Sequence, residues 1–451
     1  MKFTKCIESG NAFADPVERA IIRLVFERES KDGARAGLRD APGGEDQSHV
    51  YEDTTQHIPN YTEVGVNPMR IAIDIRKINE FGVGTYIWNL VRHLAAIDSR
   101  NDYLLIGSHR NFHELGPLPG NFSQLYQPED TGIWRDHVTI PFALRRLSID
   151  LVHVPHHEAP FFSPSKLVVT IHDCVHLLFP QEDSSKLQTY RSYLRTKKVV
   201  EAARHVFAVS RSTKQDLLNI YNLPESKISV VHNALDERFA FSHTPEERKH
   251  VLERYQLKDP FILYSGKIRP HKNLHRLIEA FAVLKSELAE DDKYRNLKLI
   301  IIGDELSKHQ YLRLTVIRSG AQQDVRFFGF VPYPILRVFY QCASLFAFPS
   351  LYEGFGLPPL EAMANRTPVI ASNTSSLPEV LDDAALLVNP ENVFDIARGM
   401  KLILFDDVLR KKLIEKGAAQ VAKFSWNLAA RKVVETYQIA GAGKRHVAAA
   451  I

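Results

Sequence analysis

Two glutamates eight residues apart, Glu353 and Glu361, lie in the segment PSLYEGFGLPPLEAMANRTPVIAS. With 53 acidic residues in 451 positions, about six acidic pairs at this separation arise by chance, so the spacing alone identifies nothing. The surround is more informative. The strand-like SLFAFPS runs towards Glu353, Gly354 and Gly356 permit a tight backbone, and Pro358 and Pro359 open the helix LEAMAN. Glu353 is expected on the loop and Glu361 about one turn into the helix, both facing a ligand whose phosphates the loop N–H groups bind. Carboxylates accept bidentately from vicinal hydroxyls, which suits a ribose and a hexose.

A second constellation is GKIRPHKN, which follows the apolar FILYS and begins a helix. It sets Lys267, Arg269 and Lys272 around a helix N-terminus at a strand's carboxyl end, a dipole with cations suited to a diphosphate. A solvated basic turn is the plain alternative. His172 and Asp173 close the strand KLVVTI, so both emerge where a cleft would be. The imidazole could hydrogen-bond a sugar hydroxyl or a reacting oxygen, and the carboxylate could contact an acceptor, against the alternative of a structural histidine. His153, His156, His157 and His176 are near in sequence but lack zinc-like spacing, and no metal is expected. Gly82, Val83, Gly84 and Thr85 follow the first strand and precede YIWNLVRHL, either bringing backbone N–H groups to a phosphate or sugar or merely softening a turn. Their spacing is not GxGxxG, which makes a dinucleotide-binding fold a weaker fit.

Positioning these residues requires short apolar strands alternating with longer helical patterns, the signature of βαβ units and a parallel sheet. From Met69 the strands are RIAIDI, DYLLIG, LVHVP, KLVVTIHD, HVFAVS and KISVVHN. After a charged stretch, with a helix opening at Thr244 and Pro245, a second series runs FILYSG, LKLIIIG, VRFFG, SLFAFPS, PVIAS and ALLV. The reading is α/β, two doubly wound parallel-sheet domains facing across a cleft. Residues 69–245 form the first domain and residues 246–438 the second, whose final helix SWNLAARKVVETY is amphipathic; a tail follows over 439–451. Residues 1–68 read as a polar, partly disordered extension with one helix from Asp15 to Arg28. The strand-like opening at Met69 makes it an alternative start of the protein.

Composition agrees with a folded chain: 45% hydrophobic, 24% charged and a formal net charge of +4. The extension carries 8 Lys/Arg against 12 Asp/Glu, so +8 belongs to the remainder, too dilute to demand nucleic acid. Three scattered cysteines, Cys6, Cys174 and Cys342, support neither a disulfide framework nor a zinc site and fit a reducing cytoplasm. No apolar run suits a spanning helix or a signal peptide.

Together these motifs resemble the retaining nucleotide-sugar glycosyltransferases of family 4, of the two-domain GT-B fold. The resemblance spans Met69 to about Gln438 and includes FGVGTY, TIHD, AVSRSTKQDL, VVHNALDERF, GKIRPHKN, FFGFVP, the Glu-x7-Glu segment and TSSLPEV. It implies that Glu361 holds the ribose hydroxyls and Glu353 the donor sugar hydroxyls, with backbone N–H groups of Phe355, Gly356 and Leu357 on sugar and phosphate. Lys272 and a second cation would neutralise the diphosphate, His172 would contact the transferred sugar, and Gly84 would approach the donor from the facing domain. Many members carry Arg at the position of Lys267, so the second cation is Lys267 or Arg269, and lysine lacks the bidentate fork. The resemblance further implies that the last helix returns to the first domain, and that the nucleoside diphosphate leaves an oxocarbenium-like sugar which the acceptor attacks on the same face. No Asp-x-Asp triplet occurs, which favours activity without divalent metal.

The function expected is a cytoplasmic hexosyltransferase, on mannose from GDP-mannose for instance, acting on a glycan or lipid-linked acceptor in polysaccharide or cell-envelope biosynthesis. The nucleotide diphosphate sugar is a substrate and no cofactor is expected. Basic residues between Lys186 and Arg204 form either a solvated helix face or a peripheral contact with anionic lipid on the inner face of the membrane. A nucleotide-sugar epimerase, a non-catalytic nucleotide-sugar-binding subunit and, last, a Rossmann dehydrogenase are the alternatives.

Overall fold

A computed structural model describes residues 68–442 except 129–132, 160–162, 181–184, 237–238, 240–243 and 305. The polar extension with its helix Asp15 to Arg28, Cys6, and the tail beyond 442 lie outside the described residues.

The first sheet comprises β1 (Arg70–Asp74), β2 (Asp102–Gly107), β3 (Phe122–Tyr126), β4 (Leu151–Val154), β5 (Lys166–Ile171), β6 (His205–Ala208) and β7 (Ile228–Val230), in the order β3-β2-β1-β4-β5-β6-β7. The second comprises β8 (Phe261–Ser265), β9 (Lys298–Ile302), β10 (Val325–Phe328), β11 (Leu345–Phe348), β12 (Val369–Ser372) and β13 (Leu386–Val388), in the order β10-β9-β8-β11-β12-β13. Every pairing in both sheets is parallel. The central strands are apolar on both faces because helices cover both: Ile71, Ile73, Val168, Ile262, Leu263, Phe346 and Ala347 are fully buried. Strand order reverses between β1 and β4 and again between β8 and β11, so each sheet has one crevice at the carboxyl ends of those neighbours.

Strand β3 is absent from the expected series. It is an edge strand with no fully buried residue, so it lacks the apolar run that marks its neighbours. Its register is held by other means: Phe122 stacks on Tyr103 at 4.6 Å, and the Asn121 amide donates to the carbonyls of Asp98 and Asn101.

The helices used below are α1 (Val83–Ile97), α2 (Lys186–Ala202), α3 (Arg211–Tyr221), α4 (Pro245–Arg254), α5 (Leu274–Glu287), α6 (Tyr333–Cys342), α7 (Leu357–Ala364), α8 (Leu377–Leu381) and α9 (Trp426–Gly441). Thr244 caps α4 with a reciprocal bond to Glu247, so the capping box fixes where the chain enters the second half. The last helix packs on the first sheet instead of the second. Trp426, Ala430, Val433 and Tyr437 of α9 join the core formed by β1 and α1. There the Tyr437 hydroxyl meets Nδ1 of His153 at 2.6 Å, while Nε2 of His153 meets the Thr170 hydroxyl at 2.8 Å. Burial pushes His153 down to about 3, so this imidazole is a neutral core group.

Tyr437→Phe leaves one nitrogen of that buried ring without a partner. A loss of about 1–3 kcal/mol is expected in chemical denaturation, and a loss under about 0.5 kcal/mol would contradict the account.

Candidate functional site at the strand ends

The basic loop after β8 is held by one asparagine. Asn273, fully buried and in the left-handed region (φ 61°), starts α5, and its amide donates to Pro349 O at 2.9 Å and Pro390 O at 2.7 Å. The Leu351 N–H donates to His271 O at 2.7 Å, tying the same loop to the segment after β11. With its backbone pinned, Lys272 lies over the Phe348 ring at 5.4 Å and donates to both carboxylate oxygens of Glu353, at 2.6 and 2.7 Å. The side chains are 16% and 10% exposed, so the pair is largely withdrawn from water. Lys267 is exposed and Arg269 half-buried on the same loop.

The carboxylate itself stands on a braced turn. The Glu353 N–H donates to Ser375 Oγ, and the Ser376 hydroxyl donates to the carbonyls of Glu353 and Phe355. Phe355 is buried, Gly356 (φ 105°) precedes α7 with no side chain to cap it, and Leu357 opens that helix with an N–H that has no intrahelical acceptor, Pro358 and Pro359 having no N–H. Glu361 lies one turn further, where its carboxylate accepts from the Tyr340 hydroxyl of α6 at 2.8 Å. Burial pushes Glu361 up to about 7, the Tyr340 hydrogen bond opposes this, and the nearby Asp236 carboxylate adds to it.

The first sheet contributes His172 and Asp173. The Nε2 of His172 contacts Pro155 O at 3.0 Å, and since a carbonyl only accepts, Nε2 carries the proton. Burial pushes this imidazole down to about 4, so it is neutral with Nδ1 as an acceptor, its ring packed edge-on against Tyr86 at 5.0 Å. Asp173 accepts from the Val175 N–H. Burial raises its pKa; Lys272 pulls it down and Glu353 pushes it up, which places Asp173 in the electrostatic field of the Lys272–Glu353 pair. The two sheets meet here. A Cβ on Gly354 would lie 1.9 Å from the His172 carbonyl oxygen, so no larger residue fits without moving the two segments apart.

Gly84 is explained within its own loop. Its N–H donates to Glu80 O at 2.7 Å, and a Cβ there would lie 2.0 Å from the Ile78 carbonyl oxygen. The loop's tight winding therefore requires the glycine and occupies its N–H. The neighbouring histidines separate: His156 faces Asp74, which Arg76 grips through a two-pronged contact, while His157 stacks on His176 at 5.0 Å. Among the described residues no group of three or more His, Cys, Asp or Glu is arranged to hold a metal ion.

Sequence reasoning brought forward Lys272, Glu353, His172 and Asp173 without showing that the first two are partners. It missed Asn273 and Tyr340. Asn273 stood within GKIRPHKN, where the residue before a helix is a capping position, and that was the available signal; Tyr340 gave none, because its contact with Glu361 is tertiary.

The sequence pattern described as Glycosyl transferases group 1 matches residues 246–420, and that described as Glycosyltransferase Family 4 matches residues 82–239. The chain is 32% identical over 275 residues to the serotype-specific mannosyltransferase WbdA of Escherichia coli, covering 61% of this chain and 33% of WbdA. It thus spans about a third of the length of that relative. It is 30% identical over 288 residues to O-antigen chain mannosyltransferase B of Escherichia coli, covering 63% of this chain and 74% of the relative. The solved structure of Anabaena HepE in complex with UDP-glucose has the same fold, with a TM-score of 0.63 at 17% identity over 82% of this chain and all of that one.

The raised Glu361 makes stability depend on pH. Between the ordinary carboxyl value of 4.5 and about 7 the folded chain binds more protons than the unfolded one, so this group's contribution falls as pH rises through that window. Glu361→Gln lacks the effect. The melting temperature of the variant relative to the native chain is expected to rise from pH 5 to pH 8, and a constant or falling difference would refute the assignment.

Proposed function

The chain belongs to the family 4 glycosyltransferases, and on that premise we propose that it transfers a hexose, mannose by the names of its relatives, from a nucleoside diphosphate sugar to a growing glycan or lipid-linked acceptor with retention of configuration. The observation that carries this reading is the bidentate Lys272–Glu353 pair beside the uncapped start of α7, set against His172 and Asp173.

In this reading the pair is a resting state. A diphosphate arriving at α7 competes for Lys272, with Lys267 or Arg269 as the second cation and the N–H groups of Phe355, Gly356 and Leu357 as donors. Losing its ammonium, Glu353 turns to the sugar hydroxyls. Glu361, in its ionised form, accepts from the ribose hydroxyls. Nδ1 of His172, an acceptor because Nε2 is committed to Pro155, receives a hydroxyl of the transferred sugar, Gly84 shapes the loop that approaches the donor, and Asp173 lies on the acceptor side. Developing negative charge on the leaving diphosphate meets fixed cations and a helix start, so electrostatic stabilisation carries the bond cleavage without a strong base. The leaving phosphate takes the acceptor proton. We assign the reaction no divalent metal, consistent with the absence of an Asp-x-Asp triplet from the sequence.

Polysaccharide or cell-envelope biosynthesis fits the names of the relatives, and we assign the activity to the cytoplasm. No helix among the described residues is long and apolar enough to cross a membrane. Peripheral contact is supported by α2, which exposes Leu187, Tyr190 and Leu194 beside Lys186, Arg191, Arg195 and Lys198.

Thermal shift with GDP-, UDP- and ADP-sugars tests the reading, because a bound donor raises apparent stability. GDP-mannose is expected to raise the melting temperature, and Lys272→Ala to abolish the shift; no shift with any donor would overturn the proposal. Donor affinity is also expected to be several-fold tighter at pH 8 than at pH 6, as Glu361 ionises through about 7, with the dependence lost in Glu361→Gln. Turnover should survive EDTA, and a loss restored by Mg²⁺ or Mn²⁺ would exclude the metal-free mechanism.

A further inference from the structure

Residues of three sequence motifs, AVSRSTKQDL, VVHNALDERF and TSSLPEV, come together at the start of α3. This helix belongs to the first half of the molecule and touches both halves of the candidate site.

Thr213 stands between them. It and Ser210 are fully buried. Ser210 Oγ accepts the Thr213 N–H at 3.0 Å and donates to the Thr213 oxygen at 3.1 Å. With a lone pair thus occupied, the Thr213 hydroxyl proton is directed outwards, where it finds Gly354 O at 3.2 Å and His172 O at 3.4 Å. One hydroxyl therefore bridges the carbonyl of the residue after Glu353 and the carbonyl of the histidine facing it. These are the two segments that lie in contact where Gly354 lacks a Cβ.

One turn along, the bridge is repeated. The Tyr352 hydroxyl, from the residue before Glu353, donates to Asp216 Oδ2 at 2.7 Å and accepts the Cys174 N–H at 3.1 Å. Tyr352 is fully buried. At the start of the helix, Glu379 of α8 accepts the Arg211 N–H on both oxygens at 2.9 Å, the Ser212 N–H at 3.3 Å and His232 Nε2–H at 2.7 Å. A carboxylate from the second half thus caps a helix of the first, the favourable end for negative charge.

We propose that the first turn of α3 is a spacer that sets the separation of His172 from Glu353, with Thr213, Tyr352 and Glu379 as positioning residues. The inference rests on the glycosyltransferase reading for its functional consequence. None of the three is asked to touch the donor. Each fixes backbone on one side of the site relative to the other, and transfer between groups held on separate sheets is sensitive to displacements of about 1 Å.

The test uses the full chain with Thr213→Val, Thr213→Ser and Tyr352→Phe, and the nucleotide sugar that the native protein turns over. Thr213→Val and Tyr352→Phe are expected to lower kcat about 10- to 100-fold while donor KM stays within about threefold, and Thr213→Ser to restore kcat to within about threefold. Hydrogen exchange in the same variants is expected to quicken in segments 172–176 and 350–356 and nowhere else. Unchanged exchange with kcat within about twofold of native overturns the proposal. So does a loss of activity that follows a fall in melting temperature, with exchange faster throughout and no rescue by serine. If the native chain turns over no nucleotide sugar the functional reading fails by itself, and the exchange pattern still decides whether α3 holds the two segments together.

Discussion

A lysine nitrogen and a carboxylate, both largely out of water, meet at 2.6 and 2.7 Å at the end of the second sheet. Such a pair gains little net stability, because the attraction is spent on desolvation, so its geometry has to be supplied by everything around it. Asn273 fixes the backbone that carries Lys272, and Ser375 and Ser376 fix the backbone that carries Glu353. Those anchors in turn depend on the parallel sheet, which delivers β8 and β11 side by side with their carboxyl ends together. In the proposed function a diphosphate, with two negative charges to the carboxylate's one, competes for that lysine.

The first sheet answers with groups of the opposite character. His172 is neutral and oriented by a carbonyl, and Asp173 is raised by burial. The Lys272–Glu353 pair thus stands on one wall and a neutral imidazole with a free acceptor nitrogen on the other. That asymmetry suits a substrate with an anionic leaving group and a hydroxyl-rich transferred group, and it arises although both sheets obey the same winding rule.

Much of this was legible in the sequence. Continuous apolar runs marked the strands with two covered faces, and glycine, proline and charge at their ends marked the loops, because each of those signals is local. Strand β3 escaped because FSQLY lies on an edge and carries no buried run. The candidate site residues at strand ends stand out for the same local reason. What stayed hidden is tertiary: Tyr340 beside Glu361, the amide of Asn273 reaching two carbonyls from distant turns, and the Thr213 hydroxyl shared by two segments. A threonine in a helix start reads as an ordinary cap until the partner chain segments are placed.

The path of the last helix has a mechanical consequence. The polypeptide passes from the first half to the second ahead of α4, and crosses back where α9 docks beside α1. Two bodies joined by one strand can swivel in any direction and drift apart. Joined twice, they are tethered at two places and cannot drift apart by the failure of either contact alone, much as a door hung from two pins stays in its frame. The alignment of the two walls is therefore set by the path of the chain as well as by the side chains that bridge them.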